Sequence, residues 1–303
     1  MSFINTSPTG SPGSYNKGNP LYIMLVTLVA TLGGLLFGYD TAVVNGAEKS
    51  LVEFYIYKTT ATGYEIHNQI ALIGQYRWMM AIVLYFVFII IGIQLIKLLG
   101  KKRGGIISGI VILLYTIWVI SFVGKAIPTD AADLKDTADA IKGFVVAGAL
   151  IGCIIGGAWA GFISRAVGRR NGLFIAAIAF FISAVGTWRP ETFNVFGVLD
   201  VYSFVIFRII GGIGVGIASM ISPMYIAEIA PANARGKLVS FNQFAIIFGM
   251  LVIYFVNYFI AKQGNEEWLV TEGWRWMFFS GAIPAGLFFS CFFLCQKLHV
   301  ILH

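Results

Sequence analysis

Eight stretches of this chain are long and apolar enough to cross a lipid bilayer, or nearly so, and this repetition constrains the fold more than any other feature. A spanning helix needs about 20 mostly apolar residues to cover about 30 Å of hydrocarbon. The stretches run approximately over residues 21–45, 77–96, 104–124, 143–164, 172–188, 201–226, 238–261 and 275–294. Hydrocarbon offers no partner for backbone N–H and C=O groups, so segments of this length predict helices. Composition agrees: 12% of the 303 residues are charged and 58% are hydrophobic, against about 25% charged in a soluble domain. That excludes a soluble enzyme, a nucleic-acid binder and a secreted disulfide scaffold, and it places the net charge of +7 in the loops. Cys153, Cys291 and Cys295 lie in apolar runs without metal-ligand spacing and read as packing residues.

Loop charges set the expected orientation, because Lys and Arg accumulate on the cytoplasmic side of short loops. With the N-terminus inside, the inward loops hold Lys97, Lys101, Lys102, Arg103, Arg165, Arg169, Arg170, Arg235 and Lys237 against the single acid Glu228. The outward loops carry most of the acids, including Glu48, Asp130, Asp133, Glu191 and Glu266. A multi-pass protein of the inner (cytoplasmic) membrane with a cytoplasmic N-terminus is the expectation. Residues 1–20, rich in Ser, Gly, Pro and Asn, predict a disordered cytoplasmic tail without the basic start of a cleavable signal.

Charges inside spans are costly and mark a pathway or a partnered pair. Two stand out, Asp40 in the first span and Arg208 in the sixth. A carboxylate that pairs with a guanidinium, and takes a proton when the pair opens, couples protonation to a conformational change. A static buried pair that fixes helix packing fits the same spacing. Gly211, Gly212, Gly214 and Gly216 predict close helix approach. Their GGIGVG string is no dinucleotide fingerprint, because no strand precedes it. Gln243 offers donors and an acceptor suited to a hydroxyl-rich neutral ligand, although an intramembrane Gln also bonds neighbouring helices. Ile246 shares its face.

Together these strings resemble the sugar porter family of the major facilitator superfamily, and within it bacterial D-xylose:proton symporters. The segments that carry the resemblance are GGLLFGYDTAVVNG, ALIGCIIGG, GRR at Gly168, Arg169 and Arg170, the run from Arg208 to Gly249, and GWRWMF from Gly273. The long run contains PxYxxExxPxxxRG as Pro223, Tyr225, Glu228, Pro231, Arg235 and Gly236. The resemblance implies an all-α membrane protein, the N-terminal six-helix half of a major facilitator fold. It implies that Asp40 is the proton-coupling carboxylate with Arg208 as its partner, and that Gln243 contacts a monosaccharide with Phe37 and Ile246 nearby. Gly168, Arg169, Arg170, Glu228 and Arg235 would form the cytoplasmic conformational network. Monosaccharide, proton and the bilayer are the implied partners, with no cofactor, metal or nucleic acid.

Three departures shape the expected organisation. Arg165 stands where the family's loop usually carries Asp. Residues 52–139 have no counterpart in the ordinary pattern and predict an inserted hairpin of two extra spans, between the first helix at 21–51 and the remaining five helices at 140–294. Two crossings preserve the parity of everything downstream, for about eight spans in all.

The segment LCQKLHVILH at 294–303 stands where the family reads V-P-E-[ST]-P-R. With the codons TTG TGC CAG AAA CTC CAC GTT ATT TTG CAC, the third-base frame reads V-P-E-T-P-R-Y-F-A. An out-of-frame tail over 295–303 and a missing C-terminal half are therefore expected, leaving a proton-coupled symporter that does not transport alone. The competing reading is a non-transporting or split-assembly membrane subunit. An enzyme is not expected, since no nucleophile, base and orienter set lies in the spans.

Overall fold

The computed structural model describes residues 20–61, 63–128, 130–194 and 197–291. The expected tails at 1–20 and 295–303 lie outside the described residues, apart from Pro20, which opens the first helix. Helix α1 spans Pro20–Tyr55, and a β-hairpin of β1 (Tyr57–Thr60) and β2 (Gly63–Ile66) follows, with Tyr57 paired to Ile66. Helices α2 (Gln69–Leu99) and α3 (Lys101–Val123) come next, then α4 (Ala131–Trp188), α5 (Asp200–Ile229) and α6 (Arg235–Ala261). The short α7 (Glu266–Trp268), a π-helical turn at Leu269–Gly273 and α8 (Trp274–Phe279) lead into further helix at 282–291.

Six helices are long and apolar enough to cross a membrane, and one of them, α4, has 58 residues. At 1.5 Å per residue it would measure roughly 87 Å if straight. It breaks at Gly168, whose φ of 83° and ψ of 164° are non-helical. A positive φ of this kind suits a residue without a Cβ. The two limbs, 131–167 and 169–188, fold back on each other and clasp α5 between them. The first seven apolar stretches are thus helical, to within a residue, and the last is helical on either side of a turn at Ser280 and Gly281, with its residues 292–294 outside the described ones. The first helix runs four residues beyond its expected end at 51 and ten beyond the apolar stretch that closes at 45.

Small residues form the seams. A Cβ on Gly212 would overlap the Ala149 carbonyl, and one on Gly216 the Cys153 carbonyl, both on the first limb of α4. Gly211 faces Ser183 and Gly214 faces Ala176 and Ala179 on the second limb. The expected packing role of these glycines is what the structure shows, with one glycine pair for each limb. A parallel seam joins α1 to α6, where Gly38 meets the Ile246 backbone and Gly249 meets that of Leu35. Side chains such as Tyr202, Phe204 and Trp274 fill the core at one end, and Leu173, Ile221 and Phe288 fill it at the other. Helices α2 and α3 stand apart, exposing Ile89, Ile93, Ile110, Leu114 and Ile117. For a soluble chain such a face would be an aggregation liability; facing lipid, it is the ordinary surface of a multi-pass membrane protein.

Candidate functional site

Asp40 and Arg208 meet across the α1–α5 contact. Arg208 Nη1 donates to Asp40 Oδ1 at 2.6 Å, and Nη2 donates to the Asp40 backbone carbonyl at 3.3 Å. The Arg208 side chain is 2% exposed and that of Asp40 18%. The face of Phe278 lies 5.3 Å from the guanidinium carbon, adding a cation–π contact from α8. Gly148 on the first limb of α4 lies against the Arg208 Cβ, so the glycine seam lets α5 approach closely enough to aim the arginine at α1. Asp40 Oδ2 and Arg208 Nε are buried and accept or donate no hydrogen bond among the described residues. Asp40 also lines a cavity of about 20 Å³ with Tyr39, Val43, Phe180, Ala184 and Phe278, room for about one water molecule. One carboxylate oxygen thus holds the cation while the other has no hydrogen-bond partner among the described residues.

The proposed sugar contacts lie elsewhere. Gln243 sits on the exposed side of α6, and Phe37 and Ile246 are half-buried. The neighbouring Asn242 packs against Gly34 of α1, six residues before Asp40 and therefore about 9 Å along the helix from it. The structure brings Ile246 against α1 through its backbone, at Gly38. It does not bring Gln243 to the ion pair.

At the α4 break Arg169 Nε donates to Glu228 Oε1 at 3.0 Å, and Nη1 donates to the Ser164 carbonyl at 3.2 Å. Gly168 makes this possible by turning the chain one residue before Arg169. Arg170 is half-buried. Arg235 is exposed at the first position of α6, and the ion-pair partner of Glu228 among the described residues is Arg169. Two members of the expected network are therefore joined and a third stands aside.

Sequence reasoning passed over a second set of polar contacts. Asn242 is buried and its Oδ1 accepts from Ser222 Oγ at 2.9 Å, tying α6 to α5. Asn257 donates from Nδ2 to the Val43 carbonyl at 3.2 Å, and Tyr39 donates to Ser280 Oγ at 2.8 Å. The signal was present: 242, 249, 253 and 257 fall on one helical face and read Asn, Gly, Ile, Asn. Arg275, from the GWRWMF string, pairs with both Glu191 oxygens at 2.7 and 2.9 Å.

Comparison with known proteins fits this geometry. A family model described as "Sugar (and other) transporter" matches residues 115–297. The D-xylose-proton symporter of Escherichia coli (strain K12) is 43% identical over 280 residues, covering 89% of this chain and 42% of its own length. The glucose transport protein of Synechocystis is 29% identical over 296 residues, covering 96% and 44%. Among solved structures, the partially occluded, inward-open xylose transporter XylE from E. coli superimposes with a TM-score of 0.62 at 42% identity, over 90% of this chain and 50% of that one. The proton:xylose symporter XylE bound to 6-bromo-6-deoxy-D-glucose gives 0.62 at 43%, over 91% and 45%. The chain spans about half the length of the relatives it matches. With the apolar helices, the glycine seams and these matches together, the chain belongs to the sugar transporter family of the major facilitator superfamily.

Proposed function

We propose that this chain supplies the proton-coupling half of a proton-driven monosaccharide symporter, with a pentose such as D-xylose as the carried sugar. The observation that carries the reading is the buried Arg208–Asp40 pair, with Asp40 Oδ2 left without a hydrogen-bond partner among the described residues. A proton arriving at Oδ2 neutralises the carboxylate and removes the charge that holds Arg208 to α1. The α1–α5 contact then loses its main electrostatic tie, and the helices are released to change their relative position. Glu228, Arg169, Arg170 and Arg235 act at the C-terminal end of α5 as a cytoplasmic latch, opened and closed as the carrier alternates. Gln243, with Phe37 and Ile246 nearby, faces the sugar in the assembled carrier. The chain lies in the inner membrane with its N-terminus in the cytoplasm, a reading supported by nine basic residues against one acid on the inward loops. Residues 52–139 are an insertion relative to the ordinary family pattern.

The test joins this chain to the C-terminal half of the E. coli D-xylose-proton symporter and measures xylose uptake in vesicles. Asp40→Asn abolishes accumulation against a gradient while equilibrium sugar binding persists. Loss of binding together with accumulation would move Asp40 into the sugar site and overturn the coupling role. Vesicles holding only the 303-residue polypeptide show no proton-driven uptake, and uptake there would refute the half-carrier reading.

A further inference from the structure

The least expected surface of the molecule is a wedge between α2 and the α4–α5 pair. Among the described residues, helix α2 is hydrogen-bonded to the bundle at one end only. There the Tyr202 hydroxyl donates to the Leu72 carbonyl, the Leu199 N–H donates to Gln75 Oε1 at 2.7 Å, and Arg77 donates to the Lys125 and Ala126 carbonyls. Beyond that end its polar contacts turn to α3. Tyr115 donates to the Ala81 carbonyl at 2.8 Å, Tyr85 and Thr116 share a hydrogen bond at 2.6 Å, and Ser108 donates to the Gly92 carbonyl at 3.1 Å. The hairpin is therefore tied to itself, and it leaves a cavity of about 620 Å³ against the bundle. Its walls include Val83, Ile90 and Ile93 of α2, Ile155 and Trp159 of α4, and Ile209 of α5, and every side chain lining it is apolar.

We propose that this wedge holds an acyl chain of an anionic phospholipid whose phosphate rests against the turn between α2 and α3. The lining runs from Met79 to Ile93 on α2, about 21 Å along the helix, which exceeds the roughly 15 Å depth of one leaflet's hydrocarbon. Water has no polar partner there, so hydrocarbon is the occupant that the walls favour. One helical turn past Ile93 stands Lys97, and Lys101, Lys102 and Arg103 follow at the start of α3. All four are exposed, none forms an ion pair among the described residues, and the first turn of α3 contains no acid. Uncompensated cations beside a membrane attract anionic headgroups. The apolar wedge and the basic turn lie at the two places that the tail and head of a single lipid would occupy. The inference concerns the α2–α3 hairpin and stands independently of the transport reading.

The full 303-residue chain, reconstituted in vesicles of equal phosphatidylglycerol and phosphatidylcholine and extracted gently, is weighed with its retained lipids by native mass spectrometry. Phosphatidylglycerol is retained over phosphatidylcholine, and each of Lys97→Gln, Lys101→Gln, Lys102→Gln and Arg103→Gln lowers that preference about fivefold. Ile90→Trp fills the wedge and reduces retention of both lipids with the circular dichroism unchanged. Phosphatidylglycerol carrying a diazirine on its acyl chain labels residues 79–93 and 151–159. Equal retention of the two lipids, or a preference surviving removal of all four cations, overturns the proposal. Labelling spread evenly over the outward face of α3 shows ordinary boundary lipid and does the same, as does a second copy of the chain cross-linked through Ile90.

Discussion

Helix α5 carries two arginine–carboxylate contacts, one in its first third and one at its last turn, and they are built in opposite ways. At Arg208 the helix supplies the cation, and the carboxylate comes from α1. Twenty residues on, at Glu228, it supplies the acid, and the cation comes from the α4 break. That separation is about 30 Å of helix, the thickness of the hydrocarbon itself. The side chains of the first pair are 2% and 18% exposed, those of the second 29% and 47%. Burial makes the first pair costly to form and more costly to leave half-made. Exposure makes the second cheap in both directions. One helix therefore joins a deep contact that responds to the loss of one charge and a shallow contact that opens with little resistance. Under the proposed function, this division would let the deep pair respond to a proton and the shallow pair open and close at the surface.

The largest effect expected from this contrast follows from removing one partner of the deep pair. Arg208→Ala leaves Asp40 without its cation in an apolar setting, and about 3–5 kcal/mol of stability is lost. Thermal unfolding in detergent micelles measures it. The double variant Asp40→Asn with Arg208→Met removes both charges and recovers most of that loss, because no ion is left uncompensated. A double variant as unstable as the single one would show that packing around Arg208, not charge, holds α1 to α5. Next in size is Gly168→Ala. The φ of 83° with ψ of 164° is a conformation essentially confined to glycine, and it costs a side-chain residue about 1–3 kcal/mol. The space around it is open, so steric overlap adds nothing. If Gly168→Ala weakened the deep pair as much as the shallow one, the two contacts of α5 would not be separable.

The deep pair was legible in the sequence because ionised groups within long apolar runs are rare enough to stand out. Asn242 was not, since an amide beside Gln243 in the string FNQF carries no such cost signal. The helical face it shares with Gly249, Ile253 and Asn257 marks it as inward-facing, but its partners Ser222 and Gly34 are seen only when α1, α5 and α6 are placed around it. Glu191 was read as an outward loop charge and Arg275 only as part of the GWRWMF string, yet the two pair, Arg275 is buried, and Phe54 and Trp274 present their rings to its guanidinium. Hydropathy marks where lipid is, not where a helix ends. That is why α1 continues through the polar residues GAEKSLVEFY to Tyr55. The break at Gly168 is the converse case. The GRR string between two apolar runs announced a turn, but the side-chain pairing that the turn arranges needed the coordinates of α5.

The smallest expected effect belongs to the shallow pair, and it is the sharpest check on the comparison. Glu228→Gln removes the acid but keeps a hydrogen-bond acceptor for Arg169, whose Nη1 stays bonded to the Ser164 carbonyl. The variant should lose about 0.2–1 kcal/mol in low salt. Because both partners reach solvent, raising ionic strength from 0.01 M to 1 M shortens the screening length from about 30 Å to about 3 Å. The difference between wild type and Glu228→Gln should therefore shrink toward zero, while the difference between wild type and Arg208→Ala is unchanged by salt. Unfolding curves of the three proteins at the two salt concentrations test this directly. A salt-independent loss at Glu228 would mean that the latch is shielded from solvent, and that both contacts of α5 are interactions of the same kind.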